Sequence, residues 1–187
     1  MKLRKFVASG LVAGTIIATA PSAFGVDPTD IIVTAGSLAI TTAPTVANFA
    51  GITLSGVAQT TTAAMDSFQI NDARGSGAGW NVTVQGTQMS EHNGTIYVVS
   101  GKTLATSSLT LAALTVAANG TSSTSPTIVA GPYTVDAGSA VKITTAATNA
   151  GMGKYDYSAG TFTLSVPSSA FAKTYRSDVT VSLVSGP

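Results

Sequence analysis

The chain has 187 residues, no cysteine, one histidine and one tryptophan, and only 9% of it is charged, where an ordinary globular domain carries about 25%. Nine Lys and Arg stand against eight Asp and Glu, and Lys2, Arg4 and Lys5 sit at the very start, so the rest carries 9 − 3 = 6 basic and 8 acidic residues, a net of −2. That balance excludes nucleic acid and an anionic membrane surface as partners, because both need clustered positive charge, and it leaves Thr, Ser, Asn and Gly to cover the surface.

In chain order, the three basic residues open a positive segment, an apolar run rich in small residues follows from Phe6 to about Ala20, and Ala23 and Gly25 supply small residues for cleavage. This order reads as a secretory signal peptide over residues 1–25, cut after Gly25. The run is too short for a membrane span, so a secreted protein without membrane insertion after cleavage is expected. Residues 26–187 read as one domain.

Period-2 alternation dominates that domain. Strands are expected at Ile31 to Ile40 (IIVTAGSLAI), Trp80 to Val84 (WNVTV), Thr95 to Val99 (TIYVV), Thr161 to Val166 (TFTLSV) and Val179 to Leu183 (VTVSL). All are rich in β-branched or aromatic residues. In WNVTV one face carries Trp80, Val82 and Val84 and the other Asn81 and Thr83. Asn93-Gly94 is a hairpin signal, and Asn119-Gly120, Gly131-Pro132 and Ala159-Gly160 mark further corners. Leu111 to Ala118 has some helix propensity, but Thr115, Val116 and the missing charged face weaken it. Asn119 to Thr127 (NGTSSTSPT) reads as a mobile loop tip. Short strands at roughly ten-residue spacing predict an all-β fold, a single Ig-like or Greek-key β-sandwich.

Catalytic chemistry finds no footing. Gly75, Gly77 and Gly79 between Arg74 and Trp80 superficially resemble a phosphate loop, but no helix follows and no Lys-Ser/Thr closes the motif. A catalytic triad would have to use His92, in Glu91-His92-Asn93-Gly94, which reads as a solvated hairpin tip with neither nucleophile nor orienting group at a recognisable spacing. One histidine and no cysteine exclude a protein zinc site. Asp66, Asn71 and Asp72 could hold calcium, but isolated loop carboxylates usually cap turns. No catalytic residue, metal or cofactor is expected.

Trp80 reads either as a core anchor between sheets or as an exposed platform for sugar stacking. Arg74 reads either as a clamp on loop carbonyls or Asp72, or as a ligand-facing group. Tyr155, Tyr157 and Tyr175 read first as sheet-packing residues.

Two stretches carry a resemblance. Met65 to Gln85 holds Asp72-Ala73-Arg74-Gly75 ahead of Trp80-Asn81-Val82. The end of the chain holds Tyr175, Val179-Thr180-Val181, Leu183 and Pro187. In content and spacing these resemble the proximal Trp-x-Leu motif and the distal Tyr-x3-Leu-Thr-Trp-x-Leu-x3-Pro motif of the WxL-domain family of Gram-positive surface proteins. Gly151-Met152-Gly153-Lys154-Tyr155 resembles the glycine-and-tyrosine element that the family places between them. Val82 and Val179 stand where the family has Leu, and Val181 stands where it has its second Trp. The resemblance implies a secreted, cell-surface protein held non-covalently to the wall, with peptidoglycan or another wall polymer, and other surface proteins, as the partners to expect. It points to Arg74, Trp80, Asn81, Tyr155, Tyr175 and Thr180 as ligand-binding candidates. No sorting motif is read near Pro187, so covalent anchoring is not expected. The alternative is a structural subunit that assembles into a surface layer or fibre, since few charges guard the strand edges.

Overall fold

The computed structural model describes residues 29–187, and the signal peptide read over residues 1–25 lies outside the described residues. Thr34–Pro187 is one compact unit, and among the described residues it is built from strands without a helix. In chain order these are β1 (Leu38–Thr42), β2 (Gln59–Met65), β3 (Phe68–Asp72), β4 (Trp80–Gly86), β5 (Ser90–Glu91), β6 (Leu109–Leu111), β7 (Val116–Asn119), β8 (Thr127–Ile128), β9 (Tyr133–Thr134), β10 (Val141–Ala146), β11 (Gly153–Tyr157), β12 (Gly160–Val166), β13 (Tyr175–Arg176) and β14 (Val179–Ser185).

Alternation decides what each strand buries. In β12, Gly160, Phe162, Leu164 and Val166 are buried while Thr161 and Ser165 are exposed. All pairing is antiparallel, in sheets ordered β1-β3-β11-β7, β14-β4-β10-β8 and β2-β12-β6-β9, with a short β13-β5 ribbon. None of these neighbours is consecutive in the chain, so the strands cross between sheets as a Greek-key sandwich requires. The core lies between sheets. Trp80 of β4 meets Tyr155 of β11 at 6.2 Å between ring centroids, and the Tyr157 hydroxyl comes within 3.4 Å of Thr144 Oγ1 on β10. Phe68 and Tyr157, directly opposite on β3 and β11, stack at 4.4 Å. Each such fully buried apolar side chain contributes about 1.5–3 kcal/mol.

Several local expectations are corrected. The strand expected from Ile31 begins only at Leu38. Thr95 to Val99 is not a strand, because the Asn93 side chain turns the chain. Its Oδ1 accepts from Thr95 N at 3.0 Å and Ile96 N at 2.9 Å, which leaves a tight excursion with an isolated His92–Tyr97 bridge. As its weakened helix signal implies, Leu111 to Ala118 forms no helix, and its two ends join β6 and β7 in separate sheets. Asn119 to Thr127 is not a free tip. Ser123 N donates to Met152 O at 2.9 Å, Gly151 N to Thr124 O at 2.9 Å, and the Tyr155 hydroxyl to Ser123 O at 2.9 Å. These bonds make it a strap across the Gly151–Gly153 corner.

Candidate functional site

The two motif strands are hydrogen-bonded neighbours. β14 runs antiparallel to β4, with Val181 opposite Val84, Leu183 opposite Val82 and Ser185 opposite Trp80. β4 is interior to its sheet and β14 lies at the edge. One face of the pair carries Trp80, Val82 and Val84, all fully buried, with Val181 and Leu183 packed against the same core. The opposite face carries Asn81, Thr83 and Gln85 of β4 beside Val184, Ser182 and Thr180 of β14, with Thr145 and Lys142 of β10 on the other side.

Trp80 occupies a seat built by the central glycine element. Its Nε1 donates to Gly151 O at 3.0 Å. Gly151 has φ of +73°, and a Cβ there would stand 2.4 Å from Ala146 Cβ and 2.7 Å from Trp80 Nε1, so only glycine fits. Tyr155 closes the far side of the seat and is itself fully buried. Trp80 and Tyr155, both expected as ligand contacts, are thus placed inside the core. Both rings are spent on joining the sheets, and the core reading of Trp80 is the one that the geometry supports.

Arg74 is a clamp. Its Nε donates to Asp72 Oδ1 at 2.9 Å and its Nη2 to Asp72 Oδ2 at 2.8 Å. Nη2 also donates to Gly79 O at 2.9 Å, and Nη1 to Ser185 Oγ at 2.5 Å. One guanidinium therefore ties the end of β3, the exit of the glycine loop and the end of β14. Hydrogen bonding from Arg74 holds the Asp72 carboxyl below its usual range, against the opposing pull of burial. The loop itself needs glycine at its exit. Gly79 has φ of +72° and passes so close to β10 that a Cβ would lie 2.4 Å from Ala146 O. With four of its five N–H groups engaged, Arg74 fixes the two motif strands together.

Asn81 is almost buried, with Nδ2 donating to Gly186 O at 2.6 Å, while its Oδ1 has no protein donor. Thr180 is exposed on β14. Tyr175 lies at the other end of the strand pair from Arg74. It is half-buried on β13, its hydroxyl donates to Phe171 O at 3.0 Å, and burial pushes its phenol pKa up. The structure therefore groups Asn81 and Thr180 on one sheet face and sets Tyr175 apart. His92, expected at a solvated tip, is only 5% exposed. The Asn93-Gly94 turn folds over it, so that Gly94 N donates to His92 Nδ1 at 3.0 Å, and Tyr97 packs edge-on at 5.2 Å. Thr83, Gln85 and Ser182 share the sheet face of Asn81 and Thr180 and were not among the sequence candidates. The alternation of WNVTV and VTVSL already put them on the face opposite the core, and attention to the aromatic residues passed over them.

The family model described as "WxL domain surface cell wall-binding" matches residues 17–187. No curated protein and no solved structure matches the chain.

Proposed function

The chain belongs to the WxL family of cell-wall-binding surface domains, and from that premise we propose that it is secreted by a signal peptide over residues 1–25 and binds peptidoglycan non-covalently through the outward face of the β14-β4-β10-β8 sheet. The observation that carries this reading is the make-up of that face. Asn81, Thr83, Gln85, Thr180 and Ser182 form a bed of amides and hydroxyls contributed by both motif strands. Such a surface exchanges hydrogen bonds with glycan hydroxyls and peptide amides at little desolvation cost, and a sheet held in place by Arg74 and Trp80 adds little ordering cost on binding. The aromatic residues of the motifs act as positioning groups beneath it, and no catalytic role is assigned.

The test is sedimentation of purified protein with protein-free peptidoglycan. The wild type is expected in the pellet at micromolar concentration and to be released by denaturant. A Thr83→Val, Gln85→Ala, Thr180→Val triple variant is expected to remain folded and stay in the supernatant. Equal pelleting of the two proteins would remove this face from the reading. A second reading has its own observation: β14 is a seven-residue edge strand with no charged residue, a natural place for strand addition by another copy. Sedimentation velocity distinguishes it, since assembly predicts species that grow with concentration in the absence of wall.

A further inference from the structure

A cleft of about 650 Å³ opens between the Pro44–Phe49 segment and the β13–β14 connection, away from the sheet face described above. Leu109, Phe162 and Leu164 contribute to its apolar lining, and His92, Arg176 and Asp178 bring polar groups to the same cleft. The contact between two of these is chemically mismatched. Gly94 N–H points at His92 Nδ1, which must accept. The ring proton of the neutral imidazole is then on Nε2. Nε2 lies 3.1 Å from Arg176 Nη1, and a guanidinium has only donors. Two N–H donors thus converge in one place. Arg176, unlike Arg74, forms no ion pair among the described residues.

An oxygen bearing negative charge, accepting from both donors at once, resolves that mismatch, and charge-assisted bonds of this kind are the strong ones. Asp178 selects among anions. Its Oδ2 accepts from the Tyr97 hydroxyl at 2.8 Å, and the residue itself lines the same cleft. A dianionic phosphate would face that carboxylate, whereas a peptide end offers a single negative charge to Arg176 and an N–H to Asp178. The apolar lining suits small aliphatic side chains between them. We propose that this cleft is a second binding site, one that captures the terminal carboxylate of a short peptide through Arg176 and His92. It stands apart from the sheet face and does not depend on it.

Calorimetric titration of the purified protein with an acetylated alanyl-alanine dipeptide, with its C-terminal amide and with inorganic phosphate tests the assignment. The free acid is expected to bind and the amide to bind roughly tenfold or more weakly, because the amide removes the charge from both bonds. Arg176→Gln is expected to lose at least as much with an unchanged melting profile, since Arg176 is exposed. Arg176→Lys, which keeps the charge without the fork, should fall between, and it carries the test if the Gln variant melts early. Equal affinity for acid and amide, binding of phosphate without binding of the dipeptide, or wild-type affinity in Arg176→Gln would each overturn the proposal. Wall sedimentation of the same variants reads the sheet face separately, so failure at one site is not failure at the other.

Discussion

Replacing Trp80 by Ala separates a core anchor from a ligand platform. The side chain is fully buried, and an aromatic of this kind buries about 150–250 Å², which at about 25 cal/mol per Å² corresponds to roughly 4–6 kcal/mol. Relaxation of the cavity wall recovers part of this, and loss of the Nε1–H donor leaves Gly151 O unpaired at a cost of about 1 kcal/mol. The expected net loss is about 3–5 kcal/mol, in line with deletions of buried aromatics generally. For a domain of this size that lowers Tm by about 10–15 °C. Thermal melts followed by circular dichroism measure the shift, and wall sedimentation well below the lowered Tm asks whether the folded fraction still binds. The variant should melt early and bind normally in proportion to its folded fraction. A Trp80→Ala protein that melts like wild type yet fails to sediment with the wall would refute the reasoning, because the ring would then be acting on the ligand.

Gly151→Ala should be at least as damaging as Trp80→Phe, by about 2 kcal/mol or more, because its Cβ meets Ala146 and the indole at a φ of +73°; denaturant midpoints decide it. Arg74→Gln should cost about 2 kcal/mol by releasing three elements at once, read as a fall in Tm with β content retained. Asp72→Asn tests the same clamp through pH. The folded pKa of Asp72 is depressed, so its contribution is fully present above the unfolded value of about 3.9 and is lost as pH falls through the folded value. Wild type and variant should therefore differ at neutral pH and converge in strong acid. Removal of Tyr175 to Pro187 strips β14 from β4 and exposes Val82 and Val84, and should abolish the cooperative transition.

Fold class was legible because it rests on period-2 patterning and on turn residues, which are local signals. Trp80 to Val84 and Val179 to Leu183 alternate so regularly that their buried faces could be assigned directly, and the structure pairs them residue for residue. Two of the failures involve partners distant in the chain. His92 sits beside an Asn-Gly turn, which reads as solvent, and its burial depends on Tyr97 and on Arg176, 84 residues away. Asn119 to Thr127 has a loop composition, and it is held down by backbone groups of residues 151–155 that composition does not reveal. Ile31 to Ser37 has strand propensity, but only its end, Gly36 and Ser37, exchanges backbone hydrogen bonds with a neighbour, at Ala73, among the described residues.

The same geometry changes the meaning of the departure at Val181. As a missing Trp it looks like the loss of an exposed aromatic contact. Register places Val181 opposite Val84 and on the side of β14 that packs against the core, while the outward side is read at Thr180 and Ser182. A Trp at this position would enlarge the packing beneath an edge strand; the bed of hydroxyls above it would be unchanged. The substitution therefore bears on how firmly β14 is held, and Arg74, through Ser185, secures the far end of that strand. Val181→Trp should accordingly shift the melting profile, upward if the half-buried edge opens to admit the ring and downward if it overpacks, with little change in wall affinity per folded molecule. A variant that gained wall affinity with no change in melting would show that this position contacts ligand and that the division between a positioning interior and a binding exterior is drawn in the wrong place.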